Sequence, residues 1–195
     1  VVAVTDPGAL DAAVRLAAAE AQAFDRACSR FRPDSELSRL NQAPGQRTRV
    51  GPILGAAIEV ALRAAVISGG LVDLTIGRSL VASGYDRDFA HLVEGAEGPF
   101  GEAPVAGWRS IQFDATCREV RMLPGAMIDL GATAKALYSD RAARLEPAPL
   151  LPGDRAYVAG PLPAVLGGAW RVGPARLSAH RRVHRSERVR WQILH

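Results

Sequence analysis

The sequence is poor in the residues that build cross-links and metal clusters. Cysteine occurs twice in 195 residues, at Cys28 and Cys117, and histidine four times. No Cys-x-x-Cys pair or Cys/His ligand spacing is present, which excludes a disulfide framework and a structural zinc site. Long apolar runs are missing too: no stretch reaches the roughly 18 residues of a membrane-spanning helix, so no integral membrane segment is expected. The opening Val1-Val2-Ala3-Val4 has neither the basic residues nor the small-residue cleavage motif of a secretory signal. A cytoplasmic location is therefore the default expectation, and nothing in the pattern specifies an oligomeric state.

Lysine is nearly absent. Of 24 basic residues, 23 are arginine, and Lys135 stands alone. Residues 171–195 hold seven arginines against Glu187, a charge of +6; since the whole chain carries +4, the preceding 170 residues carry −2. The basic character thus belongs to the tail, read as a solvated, poorly ordered end over 174–195. Trp191 is its one aromatic residue, where single-strand nucleic-acid platforms need several. No nucleic-acid partner is expected.

What is present is a core. The chain is 48% hydrophobic and 23% charged, the balance of a globular protein rather than a disordered one. Residues 1–4 read as a short strand, with Thr5 or Asp6 as cap of a helix whose first turn holds Pro7. Leu10, Val14, Ala17, Ala21, Phe24 and Cys28 form one helical face, and Pro33 is expected to end that helix. Ser35–Asn41 reads as a capped short helix with Leu37 and Leu40 inward. Gly51-Pro52 opens a second long helix with Leu54, Ile58, Ala61, Leu62, Ala65 and Val66 inward, closed by Gly69-Gly70. Residues 71–77 read as extended and then turning, and 86–107 as a surface excursion. Ile111 and Phe113, then Val120 and Met122, alternate as in a β-hairpin. A strand over Ala126–Leu130 follows, turned by Gly131 into a helix from Ala132 to about Leu145. Ala156–Val158 and Trp170–Val172 are further candidate strands. The order implies an α+β fold, helices packed on a mainly antiparallel sheet.

Three stretches carry chemistry. Asp129-Leu130-Gly131 ends a strand and feeds a helix, a joint that offers backbone N–H groups and a positive dipole end to phosphate, with Lys135 one turn inside. Read locally, the same joint is also a plain strand–helix turn with Asp129 as cap and Lys135 in solvent. Asp73 lies in an apolar run before Thr75-Ile76-Gly77; it either caps that turn or meets a ligand. Ser35-Glu36-Leu37-Ser38-Arg39-Leu40-Asn41 is the third; read locally it is a capped surface helix with Leu37 and Leu40 inward.

Taken together, Phe31–Asn41, Val72-Asp73-Leu74-Thr75-Ile76-Gly77 and Asp129-Leu130-Gly131-Ala132-Thr133-Ala134-Lys135 with Asp140 resemble, in order and separation, the FAD:protein FMN transferase (ApbE) family. The resemblance spans residues 1–146 and continues in part over 147–173. It implies a Mg²⁺-dependent transferase that splits FAD, releases AMP and attaches FMN to a Ser or Thr hydroxyl of an acceptor flavoprotein. By family position Leu71, Val72 and Asp73 line the nucleotide site, Asp129 and Lys135 contact FAD, Ala132 offers its backbone carbonyl to Mg²⁺, and Phe31 lies near the flavin.

The family completes its metal site further downstream, with an Asp and a Thr or Ser beside a Thr-Ser-Gly stretch and a His-Ile-x-Asp-Pro motif. None of these occurs here. The expectation is a C-terminal part truncated or altered after about residue 173, with impaired turnover. The alternative reading is a catalytically inactive flavin-nucleotide-binding protein whose basic tail contacts an acidic partner.

Overall fold

Alanine-rich helical faces and one short hairpin organise the chain. The computed structural model describes residues 2–4, 7–87, 103–144 and 156–158. Val2–Val4 forms β1. Pro7–Ala9 is a 3-10 turn, and α1 runs over Leu10–Cys28. Then come α2 (Glu36–Asn41), β2 (Arg47–Arg49), α3 (Pro52–Ile67), α4 (Gly77–Ala82), β3 (Ile111–Asp114), β4 (Glu119–Met122), α5 (Ala134–Ala142) and β5 (Ala156–Val158). The expected strand at Trp170–Val172 and the basic tail lie outside the described residues, as do Thr5 and Asp6.

The fold is α+β, as the order of elements implies. β3 and β4 form the hairpin in the register Ile111↔Met122 to Asp114↔Glu119, and β2 adds to the other side of β4 through Thr48↔Val120. β1 pairs antiparallel with β5. Helix α1 packs against both α3 and α5. Phe24, Leu37, Leu40, Leu54, Ile58, Val120, Met122, Ile128 and Leu130 are essentially sealed from solvent and define the core. Two contacts fix α5 to α1: the Tyr138 hydroxyl donates to the Ala17 carbonyl at 3.1 Å, and Arg141 Nε donates to Glu20 Oε1 at 2.6 Å. Among the described residues no helix is long and apolar enough to cross a membrane.

Several boundaries differ from the sequence reading, each for a local reason. Helix α1 starts at Leu10 with no side-chain cap, because Pro7–Ala9 takes the tighter 3-10 form. It stops at Cys28, well before Pro33, because Ser29 turns extended and its carbonyl accepts the Ser35 hydroxyl at 2.5 Å. Val66 is 60% exposed rather than inward, and Gly55 and Ala57 are buried although the periodicity does not include them. Strand β2 was not foreseen, since Arg-Thr-Arg carries no apolar alternation. Residues 126–130 are extended, but they join a neighbour through a single bridge, Met127 to Ile76. Helix α5 begins at Ala134, two residues later than expected, behind a turn over 131–133.

Ser35 is the N-cap of α2 and accepts from Ser38 N at 3.0 Å. Replacing it with alanine removes that cap and should lower stability by about 1 kcal/mol. Urea denaturation checks this; an unchanged midpoint would show that the cap contributes nothing here.

Candidate functional site

The segments singled out in the sequence meet along one seam. Ala126, Ile128 and Leu130 point into the core at 2% exposure or less, which leaves Met127 and Asp129 on the opposite side of the extended chain. There the segment meets residues 74–77: Asp129 N donates to the Leu74 carbonyl at 2.8 Å, and Gly77 N donates to the Met127 carbonyl at 3.1 Å. Contact at Gly77 is so close that a Cβ would stand 2.7 Å from that carbonyl oxygen. Asn41 closes the segment from the α2 side. Its Nδ2 donates to the Ile128 carbonyl at 2.9 Å and its Oδ1 accepts from Ile128 N at 2.8 Å. A side-chain amide therefore does the work of a neighbouring strand, which is why 126–130 stays extended with so little sheet beside it.

Asp129 is held by both oxygens. Oδ2 accepts from Arg30 Nε at 2.8 Å, a pair with side chains only 12% and 3% exposed, and Oδ1 accepts from Gly131 N at 2.9 Å. Arg30 also donates through Nη2 to the Tyr85 carbonyl at 2.8 Å. Its guanidinium lies 4.4 Å from the centre of the Phe31 ring and 5.3 Å from that of Tyr85, and the two rings meet edge to face. Nothing in the sequence reading singled out Arg30. The one available signal is an arginine directly after a buried helix end, next to an aromatic; its partner lies 99 residues away.

Asp73 caps its turn. Oδ1 accepts from both Thr75 N and Thr75 Oγ1 at 2.7 Å, and Oδ2 accepts from Trp108 N at 2.9 Å. Leu71 is 92% exposed, and Val72 is half-buried. Ala132 is exposed in the turn before α5, and Lys135 is half-buried one position inside the helix. At this helix start Gly131 N is taken by Asp129, and Thr133 N and Ala134 N by the Leu130 carbonyl. The amides of Ala132, Lys135 and Ala136 have no partner among the described residues. The free donors that the joint implies are thus fewer than the four of an uncapped helix. Phe31 stands apart from these groups, on a pocket of about 370 Å³ lined by Arg30, Ser38, Asn41, Arg78 and Met127 among others. Arg30, Asn41 and Met127 join this pocket to the seam: all three line it, and they bond Asp129, Ile128 and Gly77 respectively.

The described residues do not by themselves fit a magnesium ion. They contain no group of three His, Cys, Asp or Glu side chains placed to hold a metal. Asp129 is paired with Arg30, and Asp73 accepts three hydrogen bonds from its own fold. Magnesium prefers near-octahedral oxygen ligation, generally with one or two carboxylates. The Ala132 carbonyl, which receives no hydrogen bond among the described residues, is one neutral ligand.

Cys28, at the end of α1, has its thiol pushed up to about 12 from an ordinary 9.0, chiefly by burial and then by the charge of Glu36. It should be inert toward alkylation at pH 8, whereas Cys117 is exposed. Iodoacetamide should add one label per native chain and two per unfolded chain by mass spectrometry. Because the native state binds this proton more tightly, its contribution to stability is intact below about pH 9 and is lost as the pH climbs toward 12. Two labels on the native chain would contradict the burial.

A family model described as the ApbE family matches residues 2–149. The chain belongs to the ApbE family. No curated protein matches the chain. Solved structures of ApbE proteins share the fold. The ApbE protein of Thermotoga maritima is 20% identical, with a TM-score of 0.58 over 73% of this chain and 46% of that one. The flavin transferase ApbE of Vibrio cholerae is 21% identical, with a TM-score of 0.50 over 72% and 45%. The flavinyl transferase ApbE of Pseudomonas stutzeri, in its apo form, is 19% identical, with a TM-score of 0.52 over 71% and 43%. The chain spans less than half the length of these ApbE structures.

Proposed function

We propose that this ApbE-family chain binds FAD along the seam between residues 71–77 and 129–135 and serves transfer of its FMN half to a Ser or Thr hydroxyl of an acceptor flavoprotein. The observation that carries this reading is the family match over residues 2–149. The adjacency of the two motif segments supports it. In the reaction the acceptor oxygen forms a bond to the FMN-side phosphorus, the bridging P–O bond to AMP breaks, and the hydroxyl proton is released. The chain's own part is positioning and charge. Lys135 and the open amides of Ala132, Lys135 and Ala136 are suited to a pyrophosphate at a helix start. Leu71 and Val72 give an apolar edge for a ring, and Phe31 a second aromatic surface across Arg30. Asp73 lines the same site and also fixes its turn through Thr75 and Trp108.

Of the Mg²⁺ site that the family resemblance implies, Ala132 would supply one backbone carbonyl; when bound, the ion would neutralise charge on the phosphates. The lack of a three-residue ligand cluster among the described residues favours a second reading, flavin-nucleotide binding without turnover. One assay separates the two. The chain is incubated with FAD, Mg²⁺ and an acceptor domain, and AMP release and in-gel flavin fluorescence are followed. Labelled acceptor with stoichiometric AMP is expected for transfer. FAD binding without AMP supports the second reading, and no FAD binding removes both.

A further inference from the structure

We propose that Arg30 is a positioning residue of the flavin-nucleotide site, setting Asp129 and Phe31 in fixed relation to each other. The inference rests on the flavin-binding reading above and adds to it a residue that no motif marks. A single planar group joins three parts of the chain: Nε binds the Asp129 carboxylate, Nη2 binds the Tyr85 carbonyl, and the guanidinium faces the rings of Phe31 and Tyr85. The side chain is 97% buried by this arrangement, being only 3% exposed. It therefore has no freedom to swing toward a ligand, and its influence passes through the groups it holds.

Those groups lie on two adjoining surfaces. Asp129 belongs to the seam with residues 74–77, and Phe31 to the wall of the 370 Å³ pocket. A ligand that contacts both needs them in register, and a rigid fork bonded to one and stacked on the other supplies that register. Arginine is required for it. A lysine would keep the positive charge but, as a point donor, would lose the paired bonding directions and the flat face. The pairing has an electrostatic side as well: it places a compensating charge beside Asp129, so that a pyrophosphate does not meet a bare carboxylate.

The test is a double-mutant cycle read in FAD affinity, by flavin fluorescence titration, on the full chain. Folding of each variant is checked by circular dichroism at the titration temperature. Arg30→Lys should weaken FAD binding about tenfold, and in an Asp129→Asn background the same change should matter less than about twofold, since the two act as one unit. Arg144→Ala, an exposed change beyond α5, should leave affinity unaltered. Wild-type affinity in Arg30→Lys would overturn the proposal, and so would an equal tenfold loss in both backgrounds. Should Arg30→Lys fail to fold, Tyr85→Leu carries the test. It removes one flanking ring while the ion pair remains, and it should weaken FAD about threefold; no change would overturn the proposal. If the wild-type chain itself does not bind FAD, the flavin reading fails, and this inference falls with it. That outcome differs from a wild type that binds and an Arg30 variant that binds equally well.

Discussion

Asp129→Ala should lower the stability of the chain by roughly 3–5 kcal/mol, the range for breaking a buried ion pair by removing one partner. The size follows from what remains behind. Arg30 is 3% exposed and would keep its charge with no anion beside it, left to the Tyr85 carbonyl and the faces of Phe31 and Tyr85. Gly131 N would lose its acceptor as well, loosening the turn that leads into α5. Salt should change the difference little, because screening acts weakly on a pair this buried. Urea denaturation at two ionic strengths measures both statements. FAD affinity should fall in parallel, while Arg144→Ala should leave both unchanged. Equal effects from Asp129→Ala and Arg144→Ala would remove Asp129 from the site.

The second large effect is expected at Gly77, where the cause is purely steric. A Cβ there would lie 2.7 Å from the Met127 carbonyl oxygen and 2.8 Å from Met127 Cγ. Met127 Cγ can move, but the carbonyl belongs to the backbone and accepts the Gly77 N–H. Gly77→Ala must therefore push residues 74–77 away from 127–129, which should cost up to about 3 kcal/mol as overpacking and distort the seam along which FAD is proposed to bind. Gly84→Ala is a useful contrast: no atom lies within 4 Å of its Cβ position, and its φ of +85° makes the penalty one of backbone strain instead. If Gly77→Ala matched the wild type in both denaturation midpoint and FAD affinity, the seam would not be the tight contact described.

Much of this architecture is legible in the sequence because burial imposes a period. The face Ala17, Ala21, Phe24, Cys28 reads as a helix and is one, and Ile111 with Val120 and Met122 reads as a hairpin and is one. Legibility fails where a partner far along the chain decides the local form. Arg47–Arg49 has no pattern of its own and becomes a strand only because Val120 and its neighbours stand beside it. Val66 has a suitable spacing but sits on the outer side of the buried stripe, 60% exposed next to the fully buried Ala65. In the site, the family resemblance drew attention to Asp73 and Asp129 as ligand contacts. Their oxygens also accept from Thr75, Trp108, Arg30 and Gly131. Single-residue reading cannot see these partners, because they lie up to 99 residues away.

Two of the links beside the seam, Asn41 to Ile128 and Arg30 to Asp129, join residues 87 and 99 positions apart. Closing loops of that length carries an entropic penalty that must be met before either contact returns anything, and contacts of long range slow folding. The hairpin and the helices, built from near neighbours, can form without them. Flavin binding should therefore be among the last properties to appear during refolding. In a stopped-flow experiment, recovery of helical signal should run ahead of the quenching of added FAD. By mass action the nucleotide would stabilise the finished fold over any species that has its helices but not its seam.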